Sequence, residues 1–289
     1  MEWEIAKVIE ITGASKEQIQ LHDDGHWSRA YVVNGGEYVV KFPKSHSTGY
    51  DYKNEAKFPT VISDLTLPIN TQKLKWLAPD NRCIALYGVK GTSLSELGNL
   101  TIAQKKSIGE QIGGFLRQLH SVKADFSGQS LEEELLEYEK AYKDCADFFE
   151  KHFTEKERDT LDYLIYDHLP KLRRELGENL VLCHADIFEP NILLDEGGRV
   201  GIIDCSNAGY FDEAADFSTM DDVLRGFTLD SYGASDTLRK KVEVKYDMSI
   251  INCPKFGVPL WGESFVVEKW NPLTREVISK YEGQIPKRS

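Results

Sequence analysis

Two apolar, β-branched runs near the start of the chain, Arg29-Ala30-Tyr31-Val32-Val33 and Glu37-Tyr38-Val39-Val40-Lys41, flank Asn34-Gly35-Gly36. Asn and Gly tolerate the positive φ of a tight turn, so the segment predicts a β-hairpin. Residues 82–87 form another apolar run of strand length, followed by Gly88 and Gly91. From residue 52 towards residue 63 the pattern predicts a helix, which Pro59 should break or kink. The period then lengthens. Ile108, Ile112, Phe115, Leu116 and Leu119 fall on one helical face. Thr101 with Gln104, Ser130 with Glu133 and Thr154 with Glu157 have the capping-box spacing that satisfies free amides at a helix start. Residues 179–183, 192–194 and 200–203 return to short buried strands, with Glu196-Gly197-Gly198 turning between the last two. The economical architecture is α+β, with a small β-rich part over residues 1–88 and a larger helical part over residues 89–289.

Charge refines this division. The formal net charge is −12, yet residues 1–90 carry 11 acids and 11 bases; the remaining 36 acids and 24 bases hold the whole excess. A neutral first part and an acidic second part exclude a nucleic-acid surface, which must be basic. They suit a cationic small-molecule partner, although a solvated acidic face accounts for the same asymmetry. No apolar run approaches membrane-spanning length, and Met1-Glu2-Trp3-Glu4 does not resemble a signal peptide. The five cysteines are scattered and lack a C-x-x-C pair, as expected of reduced thiols in a cytoplasm.

The chemistry concentrates in His184-Ala185-Asp186-Ile187-Phe188-Glu189-Pro190-Asn191 and Ile202-Ile203-Asp204. Two carboxylates and a carboxamide around short strands supply what phosphoryl transfer from a nucleotide requires: an acid to orient the attacking hydroxyl, and hard oxygens for Mg²⁺. The bland alternative is a polar turn between core strands. His184 is expected to brace the loop by hydrogen bonding.

These residues, with Val40-Lys41-Phe42-Pro43, Leu119-His120, Asp212 and Asp216, resemble the aminoglycoside phosphotransferase family of the protein-kinase-like superfamily. The Lys-Phe-Pro and Ile-Ile-Asp segments are most similar to enzymes acting on the 2″-hydroxyl. The resemblance implies a two-lobe fold, with a nucleotide-binding lobe over residues 1–88 and a catalytic, substrate-binding lobe beyond. It implies Asp186 as catalytic base, Asn191 and Asp204 as Mg²⁺ ligands, and ATP or GTP as phosphoryl donor. Lys41 would reach the phosphates with Glu55 as its ion-pair partner. Gly25 and Ser28 fall in the phosphate-covering loop, and Leu86, Tyr87 and Val89 at the hinge that reads the purine through the main chain. For a polycationic aminoglycoside, Asp221, Asp222, Glu263 and Glu268 would bind ammonium groups, with Trp261 or Trp270 as a wall.

Cys205-Ser206 replaces the aromatic-Gly pair of protein kinases, Ala185 stands where they carry arginine, and no Ala-Pro-Glu segment follows. These departures favour a small-molecule acceptor. Two other functions fit the same residues: a metabolic kinase acting on choline, a sugar or an amino alcohol, and a non-catalytic nucleotide-binding module.

Overall fold

The computed structural model describes residues 2–23, 27–45 and 51–284. The chain opens with α1 (Glu2–Thr12), followed by β1 (Ile19–His22), β2 (Ser28–Val33), β3 (Tyr38–Pro43) and α2 (Lys53–Val61). Then come β4 (Asn70–Thr71), β5 (Lys73–Leu77), β6 (Ile84–Tyr87), β7 (Thr92–Ser93) and α3 (Ile102–Leu119). Four helices follow: α4 (Leu131–Asp144), α5 (Ala146–His152), α6 (Glu155–Tyr163) and α7 (Leu169–Leu176). Short strands β8 (Leu180–Cys183), β9 (Ile192–Leu194), β10 (Val200–Ile202) and β11 (Gly209–Asp212) frame the segment singled out for its chemistry. The chain closes with α8 (Asp222–Tyr232), α9 (Asp236–Trp261), α10 (Glu263–Lys269) and α11 (Asn271–Tyr281). Among the described residues no helix is long and apolar enough to cross a membrane.

The contacts gather into two compact units. The first takes Met1–Ser127, Val181–Tyr210 and Thr219–Gly233; the second takes Gly128–Leu180, Phe211–Ser218 and Ala234–Ser289. Residue 88 lies inside the first unit, because β7 and α3 continue to pack there with β9, β10 and α8.

In the first unit an antiparallel sheet runs in the order β1-β2-β3-β6-β5. Asn34, Gly35 and Gly36 all take positive φ, so the β2–β3 hairpin turns where its composition demands. Alternation along β3 sorts its side chains. Val40 and Phe42 pack with Val8, Tyr31, Val33 and Ala85 on one face. Lys41, paired across the strands with Ala30 and Ile84, emerges on the other, where Ala56 of α2 and its N-cap residue Tyr52 pack against Ile84 and Leu86. α1 is held by a buried carboxylate: Glu4 accepts from Arg29 Nε at 3.1 Å and from the Tyr31 hydroxyl at 2.6 Å. A second sheet, ordered β4-β10-β9-β7, carries β10 parallel to β4 and antiparallel to β9.

All three capping boxes form, at Thr101, Ser130 and Thr154. The apolar stripe of α3 is buried throughout, from Ile108 to Leu119. α3 packs against α8 through glycines. A Cβ at Gly113 would lie 2.6 Å from the Thr228 carbonyl oxygen, and one at Gly109 would lie 2.7 Å from the Phe227 Cβ. Gly113→Ala is therefore expected to cost about 1–3 kcal/mol through overpacking, read as a lower urea midpoint at unchanged slope.

The second unit has its own core, in which Leu135, Phe149, Leu164, Leu169, Met248 and Ile251 are buried together. Beside it lies a buried charge network. Arg173 is fully buried, 3.5 Å from Asp212 and 3.7 Å from Glu134, while Lys241 meets Asp212 at 3.1 Å. Asp212 also accepts the amides of Asn179 and Ala214 at 3.0 and 3.1 Å, which fixes the turn leading to the fully buried Asp216.

Candidate active site

Lys41, Glu55 and Asp204 meet in the first unit, although they stand far apart in sequence. The Lys41 ammonium lies 2.7 Å from Glu55 Oε1, in the first turn of α2, and 3.1 Å from Asp204 Oδ1. Lys41 and Glu55 are buried; Asp204 is half-buried. Burial opposes the charge of Lys41, but Asp204 and Glu55 outweigh it and hold its pKa well above the ordinary lysine value. Burial pushes the Asp204 carboxyl up, while Lys41, a hydrogen bond with Ser206 and the nearby His184 bring it below its ordinary value. At Glu55 burial prevails over Lys41 and the carboxyl is pushed up. One ammonium serves two carboxylates here, and Asp204 is the more exposed of the two.

Asp204 has φ +62°, a conformation that costs a non-glycine residue energy and must be held by its surroundings. Buried Gln72 holds it, its Oε1 accepting the Asp204 amide at 2.9 Å. The next residue is held too. Pro59, expected to break or kink α2, does not break it: the helix continues through it to Val61. Proline has no N–H to give the carbonyl of Glu55, four residues earlier. The Cys205 thiol fills that place, donating to the Glu55 carbonyl at 3.6 Å. Burial pushes this thiol well above its ordinary pKa, so it stays a protonated donor. The departure from an aromatic residue at 205 thus ties the Asp204 segment to the helix that carries Glu55.

The loop after β8 brings the remaining groups together. His184 is buried with its ring edge against Phe58 of α2, centroids 5.8 Å apart. Ala185 takes φ +62°. Asn191 Nδ2 donates to both the carboxylate and the carbonyl of Asp186, each at 3.0 Å, leaving its amide oxygen to face elsewhere. The Ile203 amide donates to the Asn191 carbonyl at 3.0 Å, one residue before Asp204. The Thr219 and Ser93 hydroxyls clamp the loop through the carbonyls of Ile187 and Glu189, at 2.8 and 3.1 Å. A carboxamide oxygen at 191 and a carboxylate at 204 are the hard donors that Mg²⁺ takes, so the residues present fit that ion.

A family model described as the phosphotransferase enzyme family matches residues 18–232. The chain belongs to that family. Solved structures share its fold over nearly the whole length. The GDP and kanamycin complex of APH(2″)-IIia matches with a TM-score of 0.78 at 17% identity, covering 97% of this chain and 99% of that one. The apoenzyme of the macrolide 2′-phosphotransferase MphH from Brachybacterium faecium matches at 0.61 and 14% identity, over 99% of this chain and 100% of that one. The Plasmodium vivax ethanolamine kinase matches at 0.65 and 13% identity, over 98% and 90%. Identities this low speak for the fold: a kinase-like α+β phosphotransferase, β-sheet in its N-terminal part and helical in its C-terminal part. No curated protein matches the chain by sequence.

Gly25 lies outside the described residues. Ser28 accepts the Tyr52 hydroxyl at 2.8 Å. Leu86 is fully buried in the α2-facing core, which leaves only its main chain to offer a ligand, whereas Tyr87 is exposed and Val89 half-buried. Asp221 caps α8 through the amides of Val223 and Leu224 and pairs with Lys105 at 3.1 Å; Asp222 pairs with Arg225. The other four belong to the second unit. Trp261 and Trp270 stack on each other at 6.2 Å, Glu263 takes both Lys151 and His152 at 2.6 Å, and Glu268 pairs with Lys269 at 2.7 Å. The four carboxylates named for substrate ammonium groups thus already have cations of their own. Gln72 and Cys205 are the positioning residues the sequence did not announce.

Proposed function

We propose that this phosphotransferase transfers the γ-phosphoryl group of ATP or GTP to a hydroxyl of an aminoglycoside. What carries the reading is the conjunction of the Lys41–Glu55–Asp204 cluster with the Asn191–Asp186 pair in one compact unit. Lys41, fixed by Glu55, binds the donor phosphates as a point charge. Asp186 orients the acceptor hydroxyl and takes its proton as the new oxygen–phosphorus bond forms and the nucleoside diphosphate departs. Asn191 and Asp204 would hold Mg²⁺, which when bound screens the charge of the donor phosphates. Gly25 and Ser28 cover the phosphates, and the main chain at Leu86, Tyr87 and Val89 reads the base. The loose transition state of such transfers rewards positioning, in keeping with the number of hydrogen bonds spent on residues 186–191 and 204.

The aminoglycoside is supported by the 36 acids against 24 bases after residue 90, and by the likeness to a fold solved with GDP and kanamycin. A second reading, an amino-alcohol acceptor, draws on the likeness to an ethanolamine kinase. Nucleotide consumption by the purified chain with Mg²⁺, run with ATP and with GTP, separates them. Kanamycin- or gentamicin-dependent turnover is the expected result. Turnover with ethanolamine or choline alone would transfer the assignment to the second reading. Nucleotide binding without transfer to any acceptor would leave a non-catalytic binding module.

A further inference from the structure

A cleft of about 470 Å³ opens in the first unit at the C-terminal end of α2. Its floor is apolar, with Ile62 and Ile69 buried and Leu67 half-buried. Its rim carries Lys73, Lys90 and Arg199, and among the described residues none of the three is ion-paired. Arg199 gives one N–H to the Leu67 carbonyl at 3.4 Å. The single acid on the lining, Asp195, is committed to its own turn, accepting the amides of Gly197 and Arg199 at 2.9 and 2.8 Å. An apolar floor under a cationic rim stands out in a chain of net charge −12.

We propose that this cleft is a second ligand site, which takes an organic anion: an apolar body on the Ile62–Leu67–Ile69 floor and one acidic group against the three rim cations. The volume lies within the roughly 300–1,000 Å³ of small-molecule pockets, and a few convergent polar groups over an apolar floor are their usual make-up. Charge-assisted hydrogen bonds from lysine and arginine select the acidic group; the floor selects the body.

The cleft is not the site at Lys41. Glu55 sits in the first turn of α2 and Ile62 just past its last residue, about 10 Å further along the axis at the helical rise. None of Lys41, Glu55, Asp186, Asn191 or Asp204 lines the cleft. In the second sheet the cleft takes Asn70 and Thr71 on the β4 edge, whereas Ser93, which clamps the catalytic loop, lies on the β7 edge. The cleft shares Tyr87 and Val89, as a common wall, with the hinge proposed above for the nucleotide base. Occupancy of the cleft stands independently of phosphotransfer; only its coupling to nucleotide, through that shared wall, rests on the function proposed above. Such coupling is reciprocal: a ligand that alters nucleotide affinity has its own affinity altered by the same factor.

Anilinonaphthalene sulfonate, an apolar body with one sulfonate, is a direct probe of the full-length chain. Its fluorescence is expected to titrate to one saturable site. Lys90→Glu combined with Arg199→Glu should weaken binding at least tenfold, and Lys16→Glu combined with Lys123→Glu, the same change in net charge elsewhere, less than twofold. Near-UV circular dichroism verifies that both variants keep their tertiary packing. Saturating ATP or GTP should change the dye affinity by a finite factor at most. No saturable binding, equal weakening by the two double variants, or complete competitive displacement by nucleotide would each overturn the proposal.

Discussion

Asp186→Asn is expected to slow phosphoryl transfer by about 10²–10⁴-fold, the usual contribution of a positioned general base. The loss should fall on kcat, since the group is asked to act on the acceptor hydroxyl and not on the donor. Nucleotide binding should change less than twofold. The fold should survive as well, because an amide oxygen at position 186 still accepts from Asn191 Nδ2, which holds the carboxylate at 3.0 Å. Single-turnover transfer from labelled nucleotide, with urea unfolding run in parallel, measures both. Transfer within threefold of the parent chain would remove Asp186 from the chemistry and leave it a loop residue.

Asp204→Asn is expected to have a comparable or larger effect, about 10³-fold on transfer. Two functions are lost together: an anionic oxygen for the divalent cation and one of the two carboxylates facing Lys41 at 3.1 Å. Losing several kcal/mol of charge stabilisation at about 1.4 kcal/mol per decade gives that order of magnitude. The variant should also need more Mg²⁺ for half-maximal rate, which separates a lost ligand from a misfolded loop. Stability supplies an independent readout with a definite sign. The Asp204 carboxyl lies below its ordinary value in the folded chain, so its contribution is present above the unfolded carboxyl pKa of about 3.9. That contribution is lost as pH falls through the folded value. The difference in urea midpoint between parent and variant should therefore be full at neutral pH and shrink below about pH 4.

The features legible in the sequence were those whose cause is local. Asn34-Gly35-Gly36 states its turn, the three capping boxes state their helix starts, and the α3 stripe states its buried face. The oxygen donors at 186, 191 and 204 were visible as residue types beside short strands. What stayed hidden depends on partners far along the chain. α1 buries only Val8 and Glu4, and Glu4 has a reason to be inside only once Arg29 and Tyr31 arrive from β2. Gln72 is an unremarkable residue between two strands until the Asp204 amide, 132 positions later, bonds to it. Pro59 reads as a break or a kink, and nothing nearby announces that Cys205 will take up the carbonyl it leaves unbonded. Acidic side chains such as Asp221, Asp222, Glu263 and Glu268 read in sequence only as negative charge, and charge alone does not reveal that Lys105, Arg225, Lys151 and Lys269 face them.

The sheet order β4-β10-β9-β7 also governs how this chain emerges from a ribosome. β4 and β7 are translated early, yet their partners in that sheet among the described residues, β10 and β9, come after the whole α3–α7 stretch. At roughly 5–20 residues per second the interval is on the order of ten seconds. During it two strand edges remain open to other nascent chains. A holdase chaperone should therefore engage ribosome-bound chains halted before residue 192 and release those halted well beyond residue 202.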